Sequence, residues 1–250
     1  MKKVFLSILV FFLLLKVQAQ KDLKNSVPNA TFFHVSYTAL FPAADLSKRY
    51  GYMSSIGTAF DYKVKYWLIG VEYNFLFGTK IREPDVLKFL RTSDGTLITV
   101  DGDLNDVPLF SRGWSFKGSV GRIVPFKKPN KNSGLLFKLG LGYMQHKLII
   151  DANKDRIPQL NKTYRKGYDR LTGGVLLSQF FGYLFLDNRK FVNFYIGIEL
   201  QEAFTKSLRT WQFDINSAIP GNRLDMTFGI KAGWIIPVYA KEKVDKFYYN

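Results

Sequence analysis

The sequence predicts an all-β protein, an eight-stranded antiparallel transmembrane β-barrel with long extracellular loops. Three observations carry that expectation: an export signal, eight segments that are apolar at every second residue, and connections that alternate between long and short. The signal comes first. Lys2 and Lys3 give a positive start, and residues 4–15 are apolar but for Ser7. Val17-Gln18-Ala19 then places small residues where a signal peptidase cuts. Twelve helical residues would span about 18 Å, well short of a hydrocarbon core of about 30 Å. The expected division is therefore a signal peptide over 1–19 and an outer-membrane barrel over 20–250. Losing Lys2, Lys3 and Lys16 lowers the formal net charge from +16 to +13.

The strands follow in order. Phe33, Val35, Tyr37, Ala39 and Phe41 alternate with His34, Ser36 and Thr38, and Ile56, Thr58, Phe60 and Tyr62 with Gly57, Ala59 and Asp61. In the third segment Trp67, Ile69, Val71, Tyr73, Phe75 and Phe77 take one face, with Gly70, Glu72 and Asn74 on the other. Period 2 of this length is a strand signal that helical spacing does not produce. Trp114, Phe116 and Val120 alternate with Ser115, Lys117 and Ser119, and the segment from Leu135 to Tyr143 alternates with Lys138, Gly140 and Gly142. The seventh and eighth segments carry Phe194, Ile196, Ile198 and Leu200, then Phe228, Ile230, Ala232 and Trp234. Residues 171–186, the sixth segment, are apolar on both faces, so their register stays open.

Long connections at 79–112 and 148–170 against short ones such as 126–133 suit a barrel with short periplasmic turns and longer outer loops. A soluble cup or sandwich alternates too. Glycine placement separates the two cases: Gly57, Gly70, Gly140, Gly142, Gly197, Gly229 and Gly233 share the polar face, with Gly118 the exception. Small residues fit the crowded lumen of an eight-stranded barrel, and the large aromatics then face lipid. On these features the chain resembles small outer-membrane β-barrels of the OmpA and OmpX kind, which implies fold and location; no residue-specific motif implies a function. Phe247-Tyr248-Tyr249 is similar to the aromatic terminal signal of such barrels.

Charges on the polar face are few and of both signs. Strand direction brings Glu72 level with Lys117 and Glu199 level with Lys231, so two ion pairs are expected inside the barrel. Buried charges survive when paired. Rim cations Lys154, Arg156, Lys162, Arg165, Lys166 and Arg170 are expected to meet phosphates of lipid headgroups, lipopolysaccharide included. Within 79–112, Val86, Leu87, Phe89 and Leu90 are too apolar for a mere connection; a short helix capping the mouth and contacting a protein partner is expected.

Composition excludes several classes. With no cysteine there is no thiolate metal site, thiol catalysis or cysteine-linked lipid. Export removes nucleic acid as the partner of the basic surface. The acidic stretches 101–106 and 151–155 depart from the calcium loop at positions six and twelve, so no metal and no cofactor is implied. His34 and His146 are the only histidines. His146 with Ser111 or Ser115, and Asp151 as third group, is the sole trace of a catalytic couple. The functional expectation is a non-enzymatic barrel acting through its loops, as an accessory subunit of an outer-membrane assembly or a surface-interaction protein. A lipid A-modifying hydrolase or acyltransferase is the alternative, and a narrow solute channel the third.

Overall fold

The computed structural model describes residues 26–126, 130–152, 157–161, 163–187, 192–219 and 221–239. The signal segment and the terminal Phe247-Tyr248-Tyr249 lie outside these residues. Eight strands close into one antiparallel barrel. They are β1 (Ala30–Ala43), β2 (Met53–Val64), β3 (Trp67–Gly78), β4 (Leu109–Pro125), β5 (Gly134–Ile150), β6 (Thr172–Leu186), β7 (Asn193–Ser207) and β8 (Asn222–Tyr239). Each strand pairs with its neighbours in sequence, and β8 closes on β1 from Ala30↔Tyr239 to Ala43↔Met226. One short helix, α1 (Ala44–Arg49), and three 3-10 turns, Pro84–Leu87, Pro158–Leu160 and Tyr164–Gly167, lie in the connections at one end. Among the described residues no helix is long and apolar enough to cross a membrane. The barrel crosses with its strands.

Alternation along each strand decides what faces where. Outward positions are exposed and overwhelmingly apolar, and rings meet across strands, as in Phe33–Phe60 at 5.1 Å and Phe137–Phe181 at 4.8 Å between centroids. Tyr62, Trp67 and Trp234 mark the short-turn end of this wall, Trp114 and Tyr143 the loop end. Apolar exposure all round the barrel is tolerable only against hydrocarbon, where the rings sit at the two interfaces.

The lumen is layered. At the loop end an apolar plug joins Leu40, Met53, Leu76, Met144 and Leu176 of the wall to Leu46 of α1 and Val86, Leu87 and Leu160 of the loops. At the short-turn end Phe32, Leu68, Ile123, Phe180, Leu184, Tyr195 and Ile235 make a second apolar layer. Between them lies a charged layer. The seven glycines that alternation assigns to the polar face point inward, as do Gly113, Gly121 and Gly182, where the crowded interior needs the room. A β-carbon on Gly233 would stand 2.4 Å from the ring of Tyr195, and one on Gly142 2.7 Å from Cβ of Lys117.

This layering accounts for the sixth segment. On β6, Leu176, Phe180, Leu184 and Leu186 enter the two apolar layers while Val175, Leu177 and Phe181 face lipid. Both faces are apolar because both surroundings are.

Candidate functional site

Three places concentrate polar chemistry: the middle of the lumen, the braced loop cap, and the His146 network beneath that cap.

In the lumen, β3 and β4 set Glu72 directly opposite Lys117, and β7 and β8 set Glu199 one step from Lys231. The four side chains meet as one cluster in which each lysine touches both carboxylates. Lys117 Nζ lies 3.3 Å from Glu72 and 2.5 Å from Glu199, and Lys231 Nζ 2.5 Å and 3.0 Å from the same two. Asn74 Nδ2 donates to Glu72 at 2.8 Å and Gln201 Nε2 to Glu199 at 2.9 Å, so the acceptors are well used. Nearer the short turns, Asp61 accepts from Lys138 at 2.6 Å, with His34 Nε2 2.8 Å from the same carboxylate. The cavity between the two groups, lined among others by His34, Ser119, Ser178 and Tyr195, has a volume of about 20 Å³. That holds about one water molecule. Three lysines balance three carboxylates here, and an apolar layer lies on each side, so this central layer is packed and formally neutral.

The cap is held by charges from all four long connections. Arg170, before β6, donates to Glu83 in the β3–β4 loop at 3.0 Å. It also donates to Gln212 at 3.1 Å and grips Asp214 with both terminal nitrogens, these two being in the β7–β8 loop. Arg49 of α1 approaches Glu83 at 3.4 Å and donates to Thr172 at 2.8 Å. Asp169 accepts two bonds from Arg209, at 2.9 and 2.5 Å. Burial works against the charge on Arg170, yet Asp214 and Glu83 outweigh it and hold the guanidinium more firmly protonated than usual. Its backbone is left-handed, φ 50°, a conformation costing about 1–2 kcal/mol that these contacts keep in place.

Two expectations are corrected by this cap. Arg170, expected at lipid headgroups, is only 3% exposed and spent on Asp214 and Glu83. Val86 and Leu87, expected to contact a partner, are buried in the loop-end plug, because a 3-10 turn over Pro84–Leu87 drives them down into the mouth. Phe89, at 71% exposure, stays outside and Leu90 is half-buried. Of the other rim cations, Lys154, Arg156 and Lys162 lie outside the described residues. Lys166 is exposed, and Arg165, whose guanidinium also donates to the Ile150 carbonyl at 3.1 Å, is half-buried. Both border a groove of about 220 Å³ that Lys147 and Arg209 line as well.

His146 on β5 is buried, with both ring nitrogens engaged. The Tyr50 hydroxyl lies 3.2 Å from Nδ1, and Nε2 faces Asp225 at 3.0 Å. Thr205 and Arg223 complete the shell of that carboxylate at 2.5 and 3.3 Å. The acid beside His146 is thus Asp225 of β8, with Asp151 elsewhere in the loops. Sequence reasoning had no route to it, since 79 residues separate the two. Ser111 donates instead to the Gly78 carbonyl at 3.2 Å, and Ser115 accepts from Asn74 at 3.3 Å.

No family model and no curated protein matches the chain. Among solved structures it is similar to Neisserial surface protein A (NspA), at 11% identity over 82% of this chain and 96% of that one, TM-score 0.47. It is similar to Ail of Yersinia pestis at 11% identity over 84% and 99%, TM-score 0.42. The third is the N-terminal β-barrel domain of Pseudomonas aeruginosa OprF, at 9% identity over 81% and 96%, TM-score 0.33. The similarity is one of fold.

Proposed function

We propose that this protein is a non-enzymatic outer-membrane barrel whose loops form a rigid platform for another macromolecule at the cell surface, as an accessory subunit or a surface-interaction protein. The observation that carries this reading is the outer surface of the cap. In the β7–β8 loop Gln212 and Asp214 turn inward to Arg170, which leaves Trp211, Phe213 and Ile215 exposed. Phe213 packs against Tyr164 and Tyr168 at 6.0 and 5.5 Å between ring centroids. With Leu90, Pro158 and Gln159 these rings border an open groove of about 450 Å³. Aromatic side chains held rigidly on a surface are what binding hot spots are made of, because little conformational entropy is lost on contact.

The two competing activities fare worse against the same geometry. A hydrolase needs a histidine nitrogen free to take a proton from a serine; Tyr50 and Asp225 occupy both nitrogens of His146. A channel needs a continuous aqueous path, and two apolar layers and an ion cluster fill this lumen. Lys166, Arg165 and Lys147, gathered around one rim groove in which Asp169 already holds Arg209, fit phosphates of lipid headgroups, lipopolysaccharide among them, and anchor the platform at the membrane surface.

Affinity purification in mild detergent tests the platform. Wild-type protein is expected to retain a stoichiometric partner that Trp211→Ala/Phe213→Ala loses, with the barrel still folded by heat-modifiable mobility. Equal recovery with both proteins overturns the reading.

A further inference from the structure

Among the described residues the lipid-facing wall carries one carboxylate, Glu202; its uncharged polar groups, such as Thr58, Gln145 and Gln179, are far cheaper to keep there. On β7 the outward residues run Phe194, Ile196, Ile198, Leu200, Glu202, Phe204, and Glu202 stands beside Leu177 of β6 and Met226 of β8. On β6, Gln179 lies between Leu177 and Phe181, facing Leu139 on one side and Leu200 on the other. Gln179 is exposed among outward apolar side chains, and Glu202 is half-buried between them, with Leu177 38% and Phe204 56% exposed. Register puts the two polar groups on adjacent strands, one step apart diagonally. Neither has a hydrogen-bond or ionic partner among the described residues. The basic residues of the wall lie towards its ends, where headgroups begin: Arg112, Lys147 and Lys206 near the loops, Arg122 near the turns.

An ionisable group turned towards hydrocarbon is costly, so it is kept where something other than lipid covers it. The chemistry specifies the cover. A carboxylate is acceptor-only, and an amide both donates and accepts, so the complementary surface offers cationic or N–H donors. A second copy in isologous contact would offer Glu202 at most the Gln179 amide and no cation, because the basic residues of this wall lie towards its ends.

We propose that the outward wall of β6 and β7 around Gln179 and Glu202 seats a different membrane-spanning protein, which presents a lysine, arginine or amide donor to Glu202. This names the contact surface of the accessory-subunit reading and rests on the barrel spanning a bilayer; it does not depend on the loop platform.

The experiment compares one substitution in two settings. In phosphatidylcholine vesicles holding only this protein, Glu202→Leu removes an unpaired acid from hydrocarbon and is expected to shift the folding equilibrium about tenfold towards the barrel. In native outer membranes the order is expected to reverse. There wild type survives heating better than Glu202→Leu, because only wild type keeps its partner, and Glu202→Gln, which retains hydrogen bonding, recovers most of the difference. The same order in both settings, or no gain in vesicles, overturns the proposal. So does a wild-type dimer in vesicles that Glu202→Leu abolishes, since the occupant is then a second copy. A barrel that fails to insert into vesicles at all defeats the transmembrane reading instead, and Trp211→Ala/Phe213→Ala, which tests the platform, is expected to leave the reversal intact.

Discussion

Neutralising one carboxylate of the luminal cluster gives the sharpest test of how the barrel is held together. Glu199 Oε1 touches Lys117 at 2.5 Å and Lys231 at 3.0 Å, and all the side chains involved are at most 3% exposed. Glu199→Gln keeps the shape but leaves two lysines sharing Glu72, with one uncompensated positive charge between two apolar layers. At an effective dielectric of 20 a contact at 4 Å is worth about 4 kcal/mol, and breaking a buried pair costs about 3–5 kcal/mol. The expected loss is in that range. Adding Lys117→Met restores neutrality, so the double variant should be more stable than the sum of the single losses by at least about 2 kcal/mol. Urea unfolding in lipid vesicles, followed by fluorescence of the 4 tryptophans, measures the wild type, both single variants and the double variant. A single-variant loss under about 1 kcal/mol, or additivity within about 0.5 kcal/mol, would show that water solvates these charges and that the lumen is not packed.

Further outcomes are expected from the same geometry. Arg170→Ala unpairs Asp214 and leaves Glu83 with Arg49 alone, and should expose the loops to limited proteolysis, while the barrel keeps its heat-modifiable mobility. Gly233→Ala sets a methyl 2.4 Å from the Tyr195 ring and should cost about 1–3 kcal/mol, most of it recovered by adding Tyr195→Leu. Purified protein in a planar bilayer should show negligible single-channel conductance. His146→Asn should leave the lipid A profile of the cells unchanged by mass spectrometry; a lost modification, with the barrel still folded, would restore the enzyme reading.

What could be read from the sequence was whatever strand parity and direction determine. Alternation placed the glycines inward and the rings outward, and direction along the chain brought Glu72 level with Lys117. Period 2 says nothing once both faces are apolar, which is why residues 171–186 resisted: they line the two apolar layers with one face and lipid with the other. Contacts across the barrel or between loops leave no local trace. Nothing near Arg170 announces Asp214, 44 residues away, and nothing near His146 announces Asp225. A run of rim cations therefore reads as headgroup contacts although one of them is a structural brace. Equally, the union of two pairs into one cluster depends on the closure of β8 on β1, which brings Lys231 within reach of Glu72.

The distribution of polar satisfaction indicates where the function resides. Inside, three lysines balance three carboxylates and the cavity beside them holds about a single water, which leaves no room there for a larger ligand. Each long connection is pinned to another by a buried arginine or to the wall by an apolar plug, so the cap has no slack from which to open. A few luminal polar atoms, such as His34 Nδ1 and Ser119 Oγ, lack a protein partner beside that small cavity, whereas the surfaces large enough to meet another molecule are outside: the aromatic ridge of Trp211, Phe213 and Ile215, and half-buried Glu202 on the lipid-facing wall. Natural folds tolerate exposed rings in water and an unpaired acid on a lipid-facing wall where a partner covers them. The two surfaces lie in different phases, so a partner reached through Glu202 must itself span the membrane, whereas one reached through the ridge need not. Comparing partners lost by Glu202→Leu with those lost by Trp211→Ala/Phe213→Ala decides between one spanning partner that touches both surfaces and two separate ones.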